Sequence, residues 1–206
     1  MLRVGVTGGI ACGKSTVAGM LRDLDCMVLE MDPLGHEMLE PGQPAYDEVV
    51  REFGGEILEP GGKVNRTRLG AVVFADAQKR IRLNQILHPR ILDVVEKWFA
   101  ALDRPGGPEV AFVEAALIIE AGFDKKLDRV AVCWCRLEQQ FARLEERGFS
   151  EAEARQRIAA QMPMDEKRAR ADDVIDCSGS LEATERQVQE LVAKLKQLAV
   201  SGGNLS

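Results

Sequence analysis

Short apolar runs alternate with stretches of helical period near the start of the chain. Residues 2–7 form an apolar run that ends at Gly8-Gly9, which predicts a buried parallel strand. Apolar residues then recur at helical spacing from Lys14 to about Leu24, and a second short strand is predicted at Cys26–Leu29. A strand, a loop, a helix and a second strand in this order predict an α/β fold with a parallel sheet.

The middle of the chain has a different pattern, because helical periods dominate from Pro33 to Leu102 and no stretch alternates as a strand would. We interpret this region as a helical insertion beside the sheet. Its predicted helices are Ala45–Phe53, Arg66–Phe74, Ala77–Leu87 and Pro89–Leu102.

The pattern of the sheet resumes in the second half of the chain, where helices again separate apolar runs. Ser150 and Glu153 have the spacing of a capping box, which marks the start of one of these helices. The stretch Ser201–Asn204 is predicted to fray. The predicted strands are Val110–Val113, Arg129–Cys133 and Val174–Asp176, and the predicted helices are Leu137–Arg147, Glu151–Gln161 and Leu181–Ala199.

Composition narrows the class of protein. The 206 residues are 46% hydrophobic and 29% charged, which is typical of one globular domain. A formal charge of −6 argues against a non-specific nucleic-acid binder and against attraction to an anionic membrane. No apolar stretch approaches the roughly 20 residues of a membrane span, and the chain shows no signal peptide, so we expect a cytoplasmic protein. Nothing in the sequence indicates an obligate protein partner.

The five cysteines lack the C-x-x-C spacing of a metal or redox motif. Cys133 and Cys135 are separated by one residue in an apolar run. We expect these thiols to be small buried side chains in a reducing compartment.

A glycine-rich motif follows the first predicted strand and opens the first helix. Gly8-Gly9-Ile10-Ala11-Cys12-Gly13-Lys14-Ser15 matches G-x-x-x-x-G-K-S/T, in which backbone N–H groups and a helix N-terminus surround phosphate oxygens. Lys14 would reach the β and γ phosphates, and the Ser15 hydroxyl would bind Mg²⁺. We therefore predict a P-loop NTPase-like fold that binds ATP through Gly8, Gly9, Ala11, Cys12, Gly13, Lys14, Ser15 and Thr16.

Asp32 follows the second predicted strand, where the carboxyl ends of parallel strands form a ligand crevice. It could accept the proton of an acceptor hydroxyl or hold Mg²⁺ through water. It could also be the N-cap of a helix that starts at Pro33, but its placement beside the glycine-rich motif favours the functional role, and both roles are compatible. Asp32-Pro33-Leu34-Gly35 also matches the D-x-x-G string of GTPases, but the chain has no N-K-x-D motif.

Several further strings resemble the dephospho-coenzyme A kinase family in their order and spacing, from residue 1 to about residue 180. Beside the glycine-rich motif and Asp32, they are Glu40-Pro41-Gly42, Asn65-Arg66, Leu87-His88-Pro89, Leu117-Ile118-Ile119-Glu120, Arg143-Leu144-x-x-Arg147 and Ala171-Asp172-Asp173-Val174-Ile175-Asp176.

The resemblance implies ATP-dependent phosphorylation of the ribose 3′-hydroxyl of dephospho-CoA, the last step of coenzyme A synthesis. It also implies one domain over residues 1–206, with a core at about 1–35 and 105–200, an acceptor-binding insertion at about 36–104 and a lid at about 136–170. Asp32 would be the catalytic base. Arg66 and His88 would contact dephospho-CoA, Arg143 and Arg147 would meet phosphates, and Cys177 would lie in the loop that contacts adenine.

Some observations leave alternatives open. Glu114 ends an apolar strand at the crevice, where it could organise Mg²⁺ near the acceptor.

Three positions depart from the family pattern: Glu30 replaces an aspartate, Ala116 replaces a proline and Cys177 replaces a frequent asparagine. The rival interpretations are a kinase for a nucleoside monophosphate, shikimate or gluconate, and a P-loop regulator that transfers nothing to a small molecule.

Overall fold

The computed structural model describes residues 1–202 of the chain. Five strands and nine α-helices follow one another along this part, with short 3-10 helices at Gly55–Ile57 and Phe123–Lys126. The strands are β1 (Leu2–Gly8), β2 (Met27–Glu30), β3 (Val110–Glu114), β4 (Arg129–Trp134) and β5 (Asp173–Asp176). The helices are α1 (Lys14–Asp23), α2 (Met31–Glu37), α3 (Tyr46–Phe53), α4 (Arg66–Ala75), α5 (Ala77–Leu102), α6 (Leu137–Glu146), α7 (Glu151–Ala159), α8 (Met164–Ala169) and α9 (Leu181–Gly202).

The chain forms two compact units. One combines Met1–Glu30 with the chain from Phe99 onward, and it holds a parallel sheet with the strand order β2-β3-β1-β4-β5. The central strand β1 pairs Val4 with Phe112 of β3 and with Arg129 of β4. Strand β1 has a strand on each side, and helices flank the sheet. Most side chains of β1 are therefore buried, which explains why this strand is apolar along most of its length. The predicted P-loop NTPase-like α/β fold is confirmed.

The core of this unit explains why the strands are apolar runs. Val4, Val6 and Phe112 of the sheet are buried together with Val17 and Leu21 of α1. Full burial of a side chain of this size contributes about 1.5–3 kcal/mol. Helix α9 completes the core with a stripe of apolar residues at helical spacing, Val188, Leu191, Val192 and Leu195.

The second unit spans Met31–Trp98 and consists of helices α2, α3 and α4 and most of α5. Its own core is built around Val49, Phe53, Leu69 and Ile86. Helix α4 begins where Asn65 accepts a hydrogen bond from the N–H of Arg68 over 3.0 Å, an N-cap of the usual kind.

Two details of this unit correct the expectations from the sequence. Pro89 was expected to begin a helix, but it lies inside the single helix α5. Proline removes one donor of the helix ladder, and here the Arg90 guanidinium donates to the carbonyl of Ile86 over 2.6 Å beside that gap. Helix α2 begins at Met31 and not at Pro33, so Asp32 lies in its first turn.

The ends of the other predicted elements agree with the structure to within a few residues. The capping box is confirmed, since the Ser150 N–H donates to Glu153 over 2.9 Å and the Ser150 hydroxyl accepts from the Glu153 N–H. Helix α8 was not predicted. Ser201 and Gly202 belong to α9, so the predicted fraying was wrong there, and Gly203 and Asn204 lie outside the described residues.

Within residues 1–202, we find no helix with the length and apolar character needed to cross a membrane.

Candidate functional site

The glycine-rich motif forms the connection between the central strand β1 and helix α1. Gly13 occupies the N-cap position of α1 with a φ of 89°, a left-handed conformation that favours glycine. Ser15 and Thr16 follow in the first turn of α1, and both are exposed. The positive end of α1 and the free hydroxyl groups in its first turn can receive an anion there.

Lys14 holds the loop closed around this helix terminus. Its Nζ donates a hydrogen bond to the carbonyl of Gly9 over 3.1 Å, and the N–H of Cys12 donates to the same carbonyl over 3.2 Å. The ammonium group is therefore fixed next to the loop backbone rather than extended into solvent. A phosphate group bound by the loop N–H groups would meet this charge directly.

Three side chains of the segment after β4 hold the backbone of the loop. Gln140 of α6 donates to the carbonyl of Ile10 over 2.7 Å, and Gln161, just after α7, accepts from the N–H of Ile10 over 2.8 Å. The sulfur of Met164 in α8 accepts from the N–H of Gly9 over 3.1 Å. These residues were not predicted as part of the site, because glutamine and methionine carry no motif.

Arg143 of α6 connects two loops through their carbonyl groups. Its guanidinium donates to Ala11 over 3.0 Å and to Cys177, just after β5, over 2.8 Å. The predicted contact of Arg143 with phosphate stays a prediction, and the structure adds a role in bracing the phosphate loop. Arg147 is exposed at the C-terminus of α6, and its phosphate contact also stays a prediction.

Four of the five cysteines are buried around the phosphate loop, and all five are free thiols in the described part of the chain. The thiol of Cys135 donates to the sulfur of Cys12 over 3.4 Å, and this hydrogen bond lowers the pKa of Cys12 to about 7. Cys177 packs against the loop, since a Cβ added at Gly13 would lie 3.2 Å from the Cβ of Cys177. A hydrogen bond from Cys133 lowers the pKa of Cys177. The thiols are buried as expected, and they are also part of the surroundings of the loop.

The second unit brings two of the predicted acceptor residues close to one histidine. Partial burial lowers the pKa of His36, the charge of Arg66 lowers it further, and the charge of Asp32 raises it. Asp32 and Arg66 are both exposed, at the first turns of α2 and α4. A cation at a helix N-terminus is unfavourable, so the position of Arg66 is not explained by the stability of α4.

The other two predicted acceptor residues are less exposed. His88 lies within α5, and burial lowers the pKa of its imidazole. Glu114 ends β3 and is 4% exposed, in register with Val6 of β1 and Glu30 of β2. A buried carboxyl group at the end of a strand beside β1 is chemically suited to organise a cation. Contact of either residue with a ligand stays a prediction.

An ion pair with a fully buried lysine ties α8 to the segment after β3. The side chain of Lys167 is 0% exposed, and its Nζ contacts Glu120 over 2.8 Å and the carbonyl of Ala116 over 2.7 Å. Burial lowers the pKa of Lys167, and Glu120 partly opposes that shift. Lys167 was missed because α8 is six residues long and shows no apolar period.

We predict that Lys167→Met destabilises the protein by about 1–3 kcal/mol, because it removes the hydrogen bonds of a fully buried ammonium group to Glu120 and to the carbonyl of Ala116. Urea unfolding followed by circular dichroism measures this loss. The matched control is Lys97→Met, which removes an exposed pair with Asp93 and should cost less than about 0.5 kcal/mol. Equal effects of the two substitutions would contradict the prediction, and Lys167→Met with Glu120→Gln should recover part of the stability.

The family model and the curated relatives give the same family. The family model described as Dephospho-CoA kinase matches residues 2–183. The dephospho-CoA kinase of Geobacter sulfurreducens is 46% identical over 192 residues, which cover 93% of this chain and 97% of that protein. The solved structure of dephospho-CoA kinase from Campylobacter jejuni is 25% identical with a TM-score of 0.69, and the match covers 95% of this chain and 97% of that one.

One of the rival interpretations also has a structural relative. A shikimate kinase from Acinetobacter baumannii matches with a TM-score of 0.54 over 98% of this chain and 94% of that one, but it is 15% identical. That likeness concerns the fold alone. The family model and the curated relatives favour dephospho-CoA kinase over shikimate kinase, and this chain belongs to the dephospho-CoA kinase family.

Proposed function

We propose that this chain transfers the γ-phosphoryl group of ATP to the ribose 3′-hydroxyl of dephospho-CoA, giving coenzyme A and ADP. The observation that carries the proposal is the closed phosphate loop at the end of β1, with Lys14 fixed on the carbonyl of Gly9. Membership of a family of ATP-dependent kinases supports the donor and the acceptor. We assign the reaction to the cytoplasm, where ATP is available.

We assign binding of the ATP phosphates to the loop and to the first turn of α1. The N–H groups and Lys14 would neutralise the charge that develops on the phosphoryl group during transfer. The exposed Ser15 hydroxyl is a hard oxygen donor of the kind that Mg²⁺ prefers, with phosphate oxygens as the other ligands. Mg²⁺, when bound, would withdraw charge from the phosphate oxygens.

We assign the proton transfer to Asp32, which would accept the proton of the ribose hydroxyl. Glu114 would organise the cation near the acceptor. Arg143 and Arg147 would meet phosphate groups, because guanidinium groups bind them in a fixed geometry. Cys177, next to Gly13, belongs to the loop to which we assign adenine.

We propose that the helical segment at about 36–104 binds dephospho-CoA through Arg66 and His88, and that the segment at about 136–170 acts as a lid. The proximity of Arg66 and Asp32 to one histidine supports a common acceptor region in the second unit. The contacts of Gln140, Gln161 and Met164 with the loop support an action of the second segment on bound nucleotide.

ADP release in the presence of dephospho-CoA, shikimate, CMP or no acceptor tests the proposed function. We expect release that depends on dephospho-CoA, with a product that carries one additional phosphoryl group by mass spectrometry. ADP release with shikimate or CMP would support the rival kinases. Nucleotide binding without transfer to any acceptor would support a regulator.

For Arg66→Ala, we predict an apparent KM for dephospho-CoA about tenfold to a hundredfold higher, because a charged hydrogen bond contributes about 1.5–3 kcal/mol. The KM for ATP should change less than twofold, because the phosphate loop is untouched. Steady-state kinetics with each substrate varied in turn measures both values.

The matched control for Arg66 is Arg82→Ala, which removes an exposed arginine of the same unit that pairs with Glu52 over 2.9 Å. It should leave both KM values unchanged. An unchanged KM for dephospho-CoA in the Arg66→Ala protein would mean that Arg66 is a surface residue without a role in binding.

A further inference from the structure

The backbone of the phosphate loop contains a strained residue. Ala11 has a φ of 60°, in the left-handed region that residues with a side chain rarely adopt. Such a conformation costs on the order of 1–3 kcal/mol and persists only where the surroundings hold it in place. Ala11 is also buried, so the contacts that hold it are protein contacts.

The contacts that hold Ala11 are made to its own carbonyl group and to that of the preceding residue, Ile10. Gln140 donates to the carbonyl of Ile10 over 2.7 Å, and Arg143 donates to the carbonyl of Ala11 over 3.0 Å. The N–H of Ile10 is held at the same time by Gln161 over 2.8 Å. The peptide group between Ile10 and Ala11 therefore cannot rotate without breaking a hydrogen bond to Gln140.

Gln140 is buried at the contact with the phosphate loop. Its side chain is 2% exposed, although it is an uncharged polar residue on a short amphipathic helix. A Cβ added at position 9 would lie 2.6 Å from Nε2 of Gln140, so a side chain there would displace the amide. The buried amide nitrogen donates one of its two N–H groups to the Ile10 carbonyl.

The direction of one N–H group follows from this contact. The peptide bonds of the described residues are trans, so the N–H of Ala11 is directed opposite to the carbonyl of Ile10. Gln140 holds that carbonyl, and it thereby fixes the direction of the Ala11 N–H. Successive N–H groups in alternating right- and left-handed conformations form the concave anion sites of phosphate loops.

We propose that Gln140 is a positioning residue that fixes the Ala11 N–H toward the β phosphate of the nucleotide. The proposal rests on the proposed function only in the identity of the anion as the polyphosphate of ATP. Gln140 acts through the backbone and touches no substrate. A merely structural role, which ties α6 to the loop, would change stability and leave phosphate affinity unchanged.

The variant Gln140→Glu tests the role, because it keeps the size of the side chain and replaces the amide donor with an acceptor against a carbonyl oxygen. We expect the dissociation constant for ADP to rise at least tenfold. The dissociation constant for AMP, which lacks the β phosphate, should change less than twofold. Isothermal titration calorimetry measures both constants.

Lower pH supplies a second readout. The carboxyl group of Glu at position 140 would be buried, so its pKa would be raised, and once protonated it could donate to the Ile10 carbonyl. We therefore expect its ADP affinity, relative to the wild-type protein at the same pH, to recover between pH 7.5 and about pH 5.5. Loss of packing alone would show no such recovery.

The matched control is Gln197→Glu, the same change at an exposed position of α9 outside the proposed lid, with less than a twofold effect on either nucleotide. If Gln140→Glu does not fold, Gln140→Met supplies an uncharged side chain of similar length without a donor, with the same expected ratio of ADP to AMP affinity. Equal weakening of ADP and AMP, or unchanged ADP binding, would overturn the role of Gln140. A wild-type protein that binds ADP but makes no coenzyme A would contradict the proposed function instead.

Discussion

Replacement of Lys14 by alanine is expected to lower kcat by roughly three orders of magnitude or more, while the protein stays folded. The ammonium group is held beside the phosphate loop by its hydrogen bond to the Gly9 carbonyl. Its attraction to the phosphate oxygens strengthens as charge develops during transfer, so its loss affects the transition state more than the bound substrate. Loss of one hydrogen bond should cost about 1 kcal/mol of stability.

Single-turnover measurement of ADP formation with saturating dephospho-CoA reports this effect, and circular dichroism checks the fold. Lys14→Arg keeps the charge but changes its shape and reach, so it should recover only part of the rate. Lys79→Ala, at an exposed position of α5, is the control for loss of a positive charge. A folded Lys14→Ala protein with a kcat close to that of the wild type would refute the assignment of the loop.

For Asp32→Asn, we expect kcat to fall by roughly 10²–10⁴, the usual range for loss of a general base. The substitution keeps the size of the side chain and one hydrogen-bond acceptor, but it removes the ability to take a proton. Binding of ATP should be nearly retained, because the residues of the phosphate loop are unchanged. Steady-state kinetics and ATP titration measure the two effects separately.

The position of Asp32 in the first turn of α2 gives this experiment its control. Loss of a negative charge there weakens the interaction with the helix dipole and should cost about 0.3–1 kcal/mol of stability. Asp47→Asn makes the same change in the first turn of α3, at an exposed position, so it should reproduce the stability effect without the loss of kcat. Partial rescue of Asp32→Asn by added Mg²⁺ would indicate a shared role in holding the cation. A wild-type kcat in a folded Asp32→Asn protein would direct the search for the base to Glu30 or Glu114.

The sheet and the phosphate loop could be predicted from the sequence because their signals are local. An apolar run followed by glycines and Lys14-Ser15 specifies a strand, a turn and a helix start within a few residues. The interruption at Pro89 was predicted by the same local logic and was wrong. A proline excludes one backbone hydrogen bond, and the packing of the whole of α5 outweighs that loss.

The contacts that complete the site could not be predicted, since they join residues far apart in the chain. The hydrogen bond between Gln140 and Ile10 spans 130 positions, and that between Arg143 and Ala11 spans 132. Neither Gln140 nor Lys167 has a local pattern that distinguishes it from a surface residue. The predicted segments and the strings shared with the family indicated which parts of the chain form the site. The hydrogen-bond partners within those segments depend on tertiary packing.

The order of the strands has a consequence for the synthesis of the protein on the ribosome. The central strand β1 is made first, but its neighbours are β3 and β4, from the second half of the chain. The unit Met31–Trp98 is continuous in sequence, so it can fold while the rest is still being translated. We expect the phosphate loop to be synthesised early and to acquire its structure late, after Gln140 and Gln161 have emerged. A nascent chain released before α7 would carry the complete glycine-rich motif and bind no nucleotide.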